Sequence, residues 1–486
     1  MSTSVLDLRP ILPALIVTLT GLVVLLAQAF TPKGRRAPSV QISLFGLAAA
    51  GVAVYLLAPL SQQGQSAVLG GTLVADAYAL FLEALIVGIG FVGVLLSSSY
   101  LRETGGERGE YYTLVLFSVV GMLGLVSATE LIALFVALEI MSVALYALTG
   151  FDRRRPESQE AAIKYFVTGA FSSAFFLYGV AFLYGVSGST SLDRIGQAVA
   201  SSDPGTHGMA LLGVGLLLVG FGFKVASVPF HMWAPDVYEG APTTVTGFMA
   251  AGVKAAAFGA LLRVLGTALP PLADRWQPAI AVLALLTMVI GNFGALAQSN
   301  VKRMLAYSSV AHAGYLLTAA VAAPRLAAVA ILFYLVGYAA VNLGGFGAMA
   351  ALTREGREPL SLGDFAGLAS RRPALAAAMT VFLVSLAGVP VSAGFVGKFY
   401  LFAAAVNAGY TWLAVVGVLM SVVSAYYYLR VVVAMYMREP LGDDNWAPIA
   451  AESRLALAIS VVIVLGLGVF PGAVLTLARR AALSLL

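Results

Sequence analysis

The sequence predicts an all-α polytopic membrane protein with about fourteen transmembrane helices. Of its 486 residues, 60% are hydrophobic and only 10% are charged, and the mean hydropathy is +0.93. Soluble domains carry about 25% charged residues, and a soluble fold of this length could not bury so much apolar surface. Inside a bilayer such a chain must satisfy its backbone hydrogen bonds within helices.

Apolar runs of spanning length define the individual helices. We place them at 10–31, 40–59, 77–100, 111–127, 130–150, 159–186, 207–240, 242–268, 277–298, 303–322, 325–352, 374–406, 411–437 and 453–475. The first run is too long for a signal-peptide core and no small-residue cleavage pattern follows it, so we expect it to remain a span.

The basic residues between these spans are distributed unevenly. One set of span ends holds sixteen of them and the other holds six. The larger set is Lys33, Arg35, Arg36, Arg102, Arg108, Arg153, Arg154, Arg155, Lys302, Arg303, Arg354, Arg357, Arg371, Arg372, Arg438 and Arg454; the smaller is Arg9, Arg194, Arg275, Arg325, Arg479 and Arg480. The positive-inside rule makes the larger set cytoplasmic, so both termini are predicted on the outer side of the membrane.

Two of the predicted spans, 207–240 and 374–406, are too long for a hydrocarbon core of about 30 Å. Each contains a proline, Pro229 or Pro390, that should interrupt the helix. They are spans seven and twelve, which run in opposite directions, as expected of inverted repeats with discontinuous helices. We therefore divide one membrane domain into helices 1–3 (1–105), a first five-helix repeat of helices 4–8 (106–270), a second of helices 9–13 (271–440) and helix 14 (441–486).

Four ionisable side chains lie deep within apolar spans: Glu139, Lys224, Lys254 and Lys398. A charge at the bilayer centre costs several kcal/mol, so such residues are generally functional. Burial disfavours the charged form of a lysine and a nearby carboxylate restores it, so a lysine row with one glutamate can take up and release protons. The alternative is a static structural ion pair between Glu139 and Lys224.

His312 lies near the middle of span ten, which we match with Glu139 in span five. It is either a proton relay or a neutral histidine bonded to a hydroxyl such as that of Ser308. The three histidines are scattered and the chain has no cysteine, so we expect neither a metal site nor an iron–sulfur cluster.

Polar residues nearer the span ends have simpler interpretations. Long cations there are expected to extend to the interface; these are Lys164, Arg263 and Arg430. We expect Asp236 and Glu239 to be solvated or to cap a helix, and Trp233 to be an interfacial anchor.

Four segments resemble the antiporter-like subunits of bacterial respiratory complex I, the proton-pumping NADH:quinone oxidoreductase, and the subunit N type most closely. They are PESQEAAIKYFVTGAFSSAFFLYGVAFLYGVSGST, FKVASVPFHMWAPDVYEGAPTTVTGFMAAGVKAAAF, NVKRMLAYSSVAHAGY and LAGVPVSAGFVGKFYLF. The middle two are shared with sister subunits M and L and with Mrp cation/proton antiporters. Lysine at position 398 and the absence of a long C-terminal helix favour subunit N.

The resemblance implies a proton channel in which Glu139 and Lys224 form a modulating pair, Lys254 is the central relay, Lys398 connects to one membrane face, and His312 assists. It implies no cofactor in this chain: NADH, FMN, iron–sulfur clusters and quinone would belong to partner subunits. Sister antiporter-like and small membrane subunits would flank it, with no nucleic acid involved. A subunit of a cation/proton antiporter or membrane-bound hydrogenase, and a scaffold with fixed charges, remain as alternatives.

Overall fold

The computed structural model describes residues 8–32, 37–59, 67–201, 203–354, 356–440 and 449–485. The N-terminal unit contains α1 (Leu12–Phe30), α2 (Ser39–Leu57) and α3 (Ala77–Thr104), with a small hairpin of β1 (Ala67–Val68) and β2 (Leu73–Val74) before α3. Lys33, Arg35 and Arg36, three members of the predicted cytoplasmic set, lie outside the described residues.

The first repeat contains six helices of the bundle and one short surface helix. They are α4 (Gly109–Ser127), α5 (Leu131–Thr149), α6 (Pro156–Ser187), α7 (Leu192–Ser201), α8 (Pro204–Val225), α9 (Trp233–Gly240) and α10 (Thr243–Thr267). Helices α8 and α9 are the two halves of the broken seventh span. The amphipathic α7 was not predicted; its short apolar face buries Leu192, Ile195 and Val199.

The second repeat and the C-terminal helices follow the same plan. They are α11 (Ala273–Leu296), α12 (Val301–Ala320), α13 (Pro324–Ala350), α14 (Leu368–Arg371), α15 (Pro373–Ala387), α16 (Ala393–Asn407), α17 (Thr411–Met437), α18 (Ala451–Val469) and α19 (Gly472–Leu483). The predicted span 453–475 was too long at its C-terminal end, because α18 ends before Pro471 and α19 is a separate helix.

The described residues contain fourteen spans. Among the described residues, twelve helices are long and apolar enough to cross a membrane. The more polar α12 and the pair α15–α16 supply the other two. We call the end of the bundle where α3 ends and α4 begins the basic end, since the larger set of cations lies there.

The two repeats share a register that the structure makes explicit. Glu130 bridges to Ser191 ahead of α5, and Asn300 bridges to Ser361 ahead of α12. Each residue of the first bridge has its equivalent 170 positions later in the second: Asn300 corresponds to Glu130, and Ser361 to Ser191. Because five spans separate equivalent helices, the second repeat is inverted relative to the first.

The same shift relates two close backbone contacts, one within each repeat. A Cβ on Gly121 would lie 2.3 Å from the backbone nitrogen of Met141, and one on Gly291 would lie 2.5 Å from that of Ala311. Small residues allow such backbone approach in membrane bundles. In this register His312 corresponds to Ser142 and not to Glu139, so the predicted match was wrong by about one helical turn.

At the centre of the bundle, α10 is buried on every side from Thr243 to Gly266. It packs against α13, α3 and α4. A helix that is apolar all round belongs in such a core, and any charge on it is shielded from lipid as well as from water.

Candidate functional site: a row of buried lysines

Lys224 lies in the last turn of α8 and is 2% exposed. The helix ends because Ala226 adopts a left-handed conformation, with φ of 58°, and the N–H of Ser227 donates to the Gly222 carbonyl at 2.8 Å. This is a Schellman-type termination. The Lys224 ammonium donates to Ser142 Oγ at 2.7 Å and lies 5.5 Å from the ring centre of Tyr146.

Glu139 occupies the same helix as Ser142, about one turn away, and is half-buried. Its carboxylate accepts a hydrogen bond from Ser173 of α6. Among the described residues, the Glu139 carboxylate and the Lys224 ammonium do not form an ion pair within 4.0 Å. The direct contact that a static ion pair requires is therefore not made in this structure, although Glu139 still acts electrostatically on Lys224.

Lys254 lies halfway along α10 and is 1% exposed. Its ammonium donates to the backbone carbonyl of Ser309 and to the Tyr338 hydroxyl, the latter at 3.3 Å. Ser309 Oγ and the Tyr338 hydroxyl are 2.9 Å apart. Neutral oxygens thus replace a counter-ion: Lys254 has no ion-pair partner within the described part of the chain.

His312 lies between Lys254 and Lys398, the two charged groups that act on it. Its Nδ1 contacts the Tyr334 hydroxyl and its Nε2 is 3.2 Å from the Tyr428 hydroxyl. The expected contact with Ser308 is indirect, because Ser308 bonds to Tyr428. A ring nitrogen on each side with a hydroxyl partner is an arrangement through which a proton can pass.

Lys398 lies on α16 but reaches back across the break in span twelve. Its ammonium donates to the carbonyls of Leu386 and Ala387, at 2.9 and 3.2 Å, which are the last residues of α15. It also lies 4.7 Å from the ring centre of Tyr315. Helix α15 ends there because Gly388 has φ of 87°, a conformation in which glycine pays no steric penalty.

Both broken spans therefore place an ammonium group at the C-terminal end of their first half. Lys224 belongs to the last turn of α8, whereas Lys398 comes from the second half and caps α15. The C-terminal end of a helix carries partial negative charge and unpaired carbonyls, which favour a cation. The structure thus buries all three lysines and His312, which we call the lysine row, and Lys254 and Lys398 both act on His312. Lys224 has the half-buried Glu139 as its charged neighbour at the first break.

Two tyrosines that were not predicted from the sequence contact Lys254 and His312. Tyr334 and Tyr338 are four residues apart on α13, with rings stacked 6.0 Å apart, and both hydroxyls face the row. The i, i+4 spacing was visible in the sequence. It was not distinguishable there from ordinary apolar packing.

Trp233 is also part of the interior and not the interfacial anchor that we predicted. It is 5% exposed, donates to the Phe223 carbonyl at 3.1 Å and stacks on Tyr165 at 4.6 Å. The break in span seven turns α9 inward, which carries the indole into the bundle.

At the basic end, the Glu358 carboxylate contacts two cations and accepts hydrogen bonds from two further groups. Lys302 Nζ lies 2.7 Å away and an Arg155 nitrogen 3.2 Å away, while the Tyr100 hydroxyl and the Thr243 N–H donate at 2.8 and 3.0 Å. The side chains of Lys302 and Glu358 are 0% and 2% exposed. Burial alone would raise the pKa of Glu358, but the Lys302 and Arg155 cations lower it to about 2. This carboxylate is therefore a permanent anion near neutral pH.

Beside it, the carboxylates of α9 are ion-paired, which corrects the expectation that they are solvated or capping. Asp236 binds Lys164 and Arg303, both at 2.7 Å, and Glu239 binds Arg303 at 2.7 Å. These contacts tie α9 to α6 and α12, the helices on either side of it.

At the opposite end, Arg263 makes a bidentate pair with Asp76, at 2.8 and 3.0 Å. Arg263 therefore extends to the start of α3, as predicted from its position, but its side chain is 5% exposed and ends in a buried ion pair and not in solvent. Nearby, Glu83 is 3% exposed and accepts from Ser127 Oγ at 2.7 Å. Glu83 was overlooked because it is only seven residues into its span. Among the described residues, no group of three or more histidines and carboxylates could hold a metal ion.

Two inverted five-helix repeats, each with a broken helix and a buried lysine at the break, define an antiporter-like membrane subunit. Residues 128–424 match the family model described as NADH:quinone oxidoreductase/Mrp antiporter, TM. The chain belongs to this family, and full-length relatives place it with the subunit N branch of respiratory complex I.

Two of these relatives are named NADH-quinone oxidoreductase subunit N. That of Trichlorobacter lovleyi is 43% identical over 98% of this chain and 97% of its own length, and that of Chloroflexus aggregans is 44% identical with the same coverage. A chain of Thermus thermophilus respiratory complex I is 37% identical, with a TM-score of 0.82 over 96% of this chain and 100% of that one. A chain of the Mrp complex from Dietzia has a TM-score of 0.86 at 23% identity, covering 99% and 98% of the two chains, and shows a shared fold.

Proposed function

We propose that this chain is a proton-translocating membrane subunit of an NADH:quinone oxidoreductase, in which quinone reduction by NADH drives proton transfer along the lysine row. The observation that carries the proposal is the burial of three ammonium groups, those of Lys224, Lys254 and Lys398, the last two of which act on His312. Identities of 43% and 44% to subunit N relatives over nearly the full length, against 23% to a chain of an Mrp complex, support complex I over a cation/proton antiporter.

The first step of the transfer is control of the charge on Lys224. Its acceptor is the neutral Ser142 hydroxyl, which stabilises an ammonium less than a carboxylate would. If Glu139 approached to about 4 Å, it would favour the charged form by about 4 kcal/mol at an effective dielectric near 20. A small movement between α5 and α8 would therefore load or release the Lys224 proton.

The second step is passage along the row. Tyr338 and Ser309 lie against Lys254, and Tyr334 and Tyr428 lie on the two sides of His312. At the Lys224 end, the path would begin at Ser142 and the neighbouring Tyr146. Moving one charge across 100 mV requires about 2.3 kcal/mol, within what one pairing change supplies.

The same assignment predicts the partner subunits and the membrane location of the chain. NADH, FMN, iron–sulfur clusters and quinone would be bound by partner subunits, so this chain would be a non-redox member of the enzyme. Exposed apolar residues on α5, α6 and α17 fit lipid or the sister and small membrane subunits expected at its flanks. We place the chain in the bacterial inner membrane with the basic end cytoplasmic and both termini periplasmic, on the basis of the positive-inside rule.

The test is Lys254→Met in the assembled complex reconstituted into vesicles, measuring proton yield per NADH and quinone reduction, with immunodetection of assembly. We expect normal assembly with loss of coupled proton transfer, since removing an unpaired buried charge does not destabilise the fold. Lys254→Arg is the informative companion, because guanidinium keeps the charge but cannot release its proton.

The control is Lys164→Met, which removes a lysine whose side chain is 43% exposed; it should retain the wild-type proton yield. If both Lys254 variants assemble and match wild type in activity and proton yield, the row does not carry protons. A non-pumping scaffold would then be the better assignment.

A further inference from the structure

An apolar cavity of about 930 Å³ lies outside the lysine row, between α2, α3, α13 and α19. Its walls include Val54, Phe81, Leu85, Val336 and Leu477. Its volume is near the upper end of the range for small-molecule sites, about 300–1,000 Å³. An apolar space this large is a place for an apolar molecule and not for water.

The position of the cavity within the bundle indicates an elongated occupant with two unlike ends. One end is formed by Ala77, the first residue of α3, and by Ser484, which follows α19 and accepts from the Tyr78 N–H at 2.9 Å. The other reaches Val336, near the middle of α13. The cavity therefore runs from the membrane interface, at the end opposite the basic end, to mid-bilayer depth.

The charge at the interfacial end is positive. Arg480 lines the cavity and Arg479 precedes it on α19, and both are exposed. Neither takes part in an ion pair among the described residues, and the described residues lining the cavity include no aspartate or glutamate. Tyr55, 76% exposed, also lines it; tyrosine favours the headgroup level.

We infer that this cavity is a binding site for an anionic phospholipid. The acyl chains lie along the apolar walls toward Val336, and the phosphate pairs with Arg480 and Arg479 at the interface. Arginine suits phosphate because its planar fork donates two parallel hydrogen bonds. The bound lipid would stabilise the packing of α19 beside α2 and α3.

The experiment measures phospholipid retained by the purified complex and its thermal stabilisation by added lipid. The complex is first delipidated, and phosphatidylglycerol or phosphatidylcholine is then added. We compare wild type with Arg480→Gln and Arg194→Gln. Arg194→Gln is the matched control, because it removes an exposed cation on α7 that lies outside the cavity. We expect phosphatidylglycerol binding to weaken about fivefold in Arg480→Gln only, as for the loss of one cation near an anionic lipid. Phosphatidylcholine should not distinguish the variants.

A second variant tests the apolar part of the site. Ala84→Phe adds a ring at an exposed alanine of the cavity wall and should reduce retained phosphatidylglycerol while leaving both arginines in place. The inference is overturned if Arg480→Gln and Ala84→Phe retain as much phosphatidylglycerol as wild type. It is equally overturned if a photo-crosslinking residue in place of Tyr55 captures another subunit and no phospholipid, since the cavity would then be a protein interface.

Discussion

Glu358→Gln tests whether the basic end of the bundle depends on a permanent anion. The folded-state pKa of Glu358 is lowered from 4.5 to about 2 by Lys302 and Arg155, against the opposing effect of burial. A difference of about 2.5 pKa units corresponds to about 3 kcal/mol at neutral pH. Removing one partner of a buried ion pair generally costs about 3–5 kcal/mol, so both approaches give the same order of magnitude.

The sign of the pH dependence follows from the lowered pKa. The stabilisation is fully present above pH 4.5 and is lost as the pH falls from 4.5 to about 2. Between pH 6 and 9 Glu358 therefore stays ionised in wild type, and its own contribution to stability should not change with pH. A group that does not titrate in this range cannot itself pass protons during turnover.

The assay is assembly yield and thermal inactivation of the purified complex. We expect Glu358→Gln to lose stability by about 3 kcal/mol, because Lys302 remains buried without its carboxylate. Glu157 is an exposed carboxylate that lines a surface cavity together with Glu358, and Glu157→Gln should match wild type. Adding Lys302→Met to Glu358→Gln should recover part of the loss. Normal stability of Glu358→Gln would refute the reasoning.

Two further variants address the row and its far end. Ser142→Ala removes the protein acceptor of Lys224, and we expect normal assembly with a lowered proton yield per NADH; an unchanged yield would show that Ser142 does not position the lysine. Asp76→Asn leaves Arg263 buried beside a neutral amide, and we expect a loss of about 3–5 kcal/mol in thermal stability. A melting temperature equal to that of wild type would contradict this expectation.

The membrane fold was largely predictable because hydropathy and proline are local signals. The fourteen spans and the two breaks follow from apolar run length and from Pro229 and Pro390. Helices α7 and α19 were missed because an amphipathic helix on a membrane surface has no long apolar run. Whether such a helix forms depends on the residues of other helices against which it packs.

The candidate site was predictable only in part, because the cost of burial identifies charges but not their partners. Lys224 and Lys254 are conspicuous in an apolar span, whereas Tyr338 resembles any other buried ring until its hydroxyl is seen beside an ammonium. Trp233 was misassigned, and the partner of Arg263 was missed, for a related reason. Position along the chain gives depth in the membrane but not the neighbours, Tyr165 and Asp76, which come from other segments.

The position of Lys398 makes it possible to separate helix capping from proton transfer. Its ammonium satisfies two terminal carbonyls of α15, and a cation at that end is worth about 0.3–2 kcal/mol. Lys398→Gln keeps an N–H donor without a titratable proton, so we expect near-normal assembly and a lost proton yield. Lys398→Met removes the donor as well, and the buried carbonyls should cost a further 1–3 kcal/mol in thermal stability. If Lys398→Gln pumps like wild type, this lysine is only a cap, and the proton must leave the row before the twelfth span.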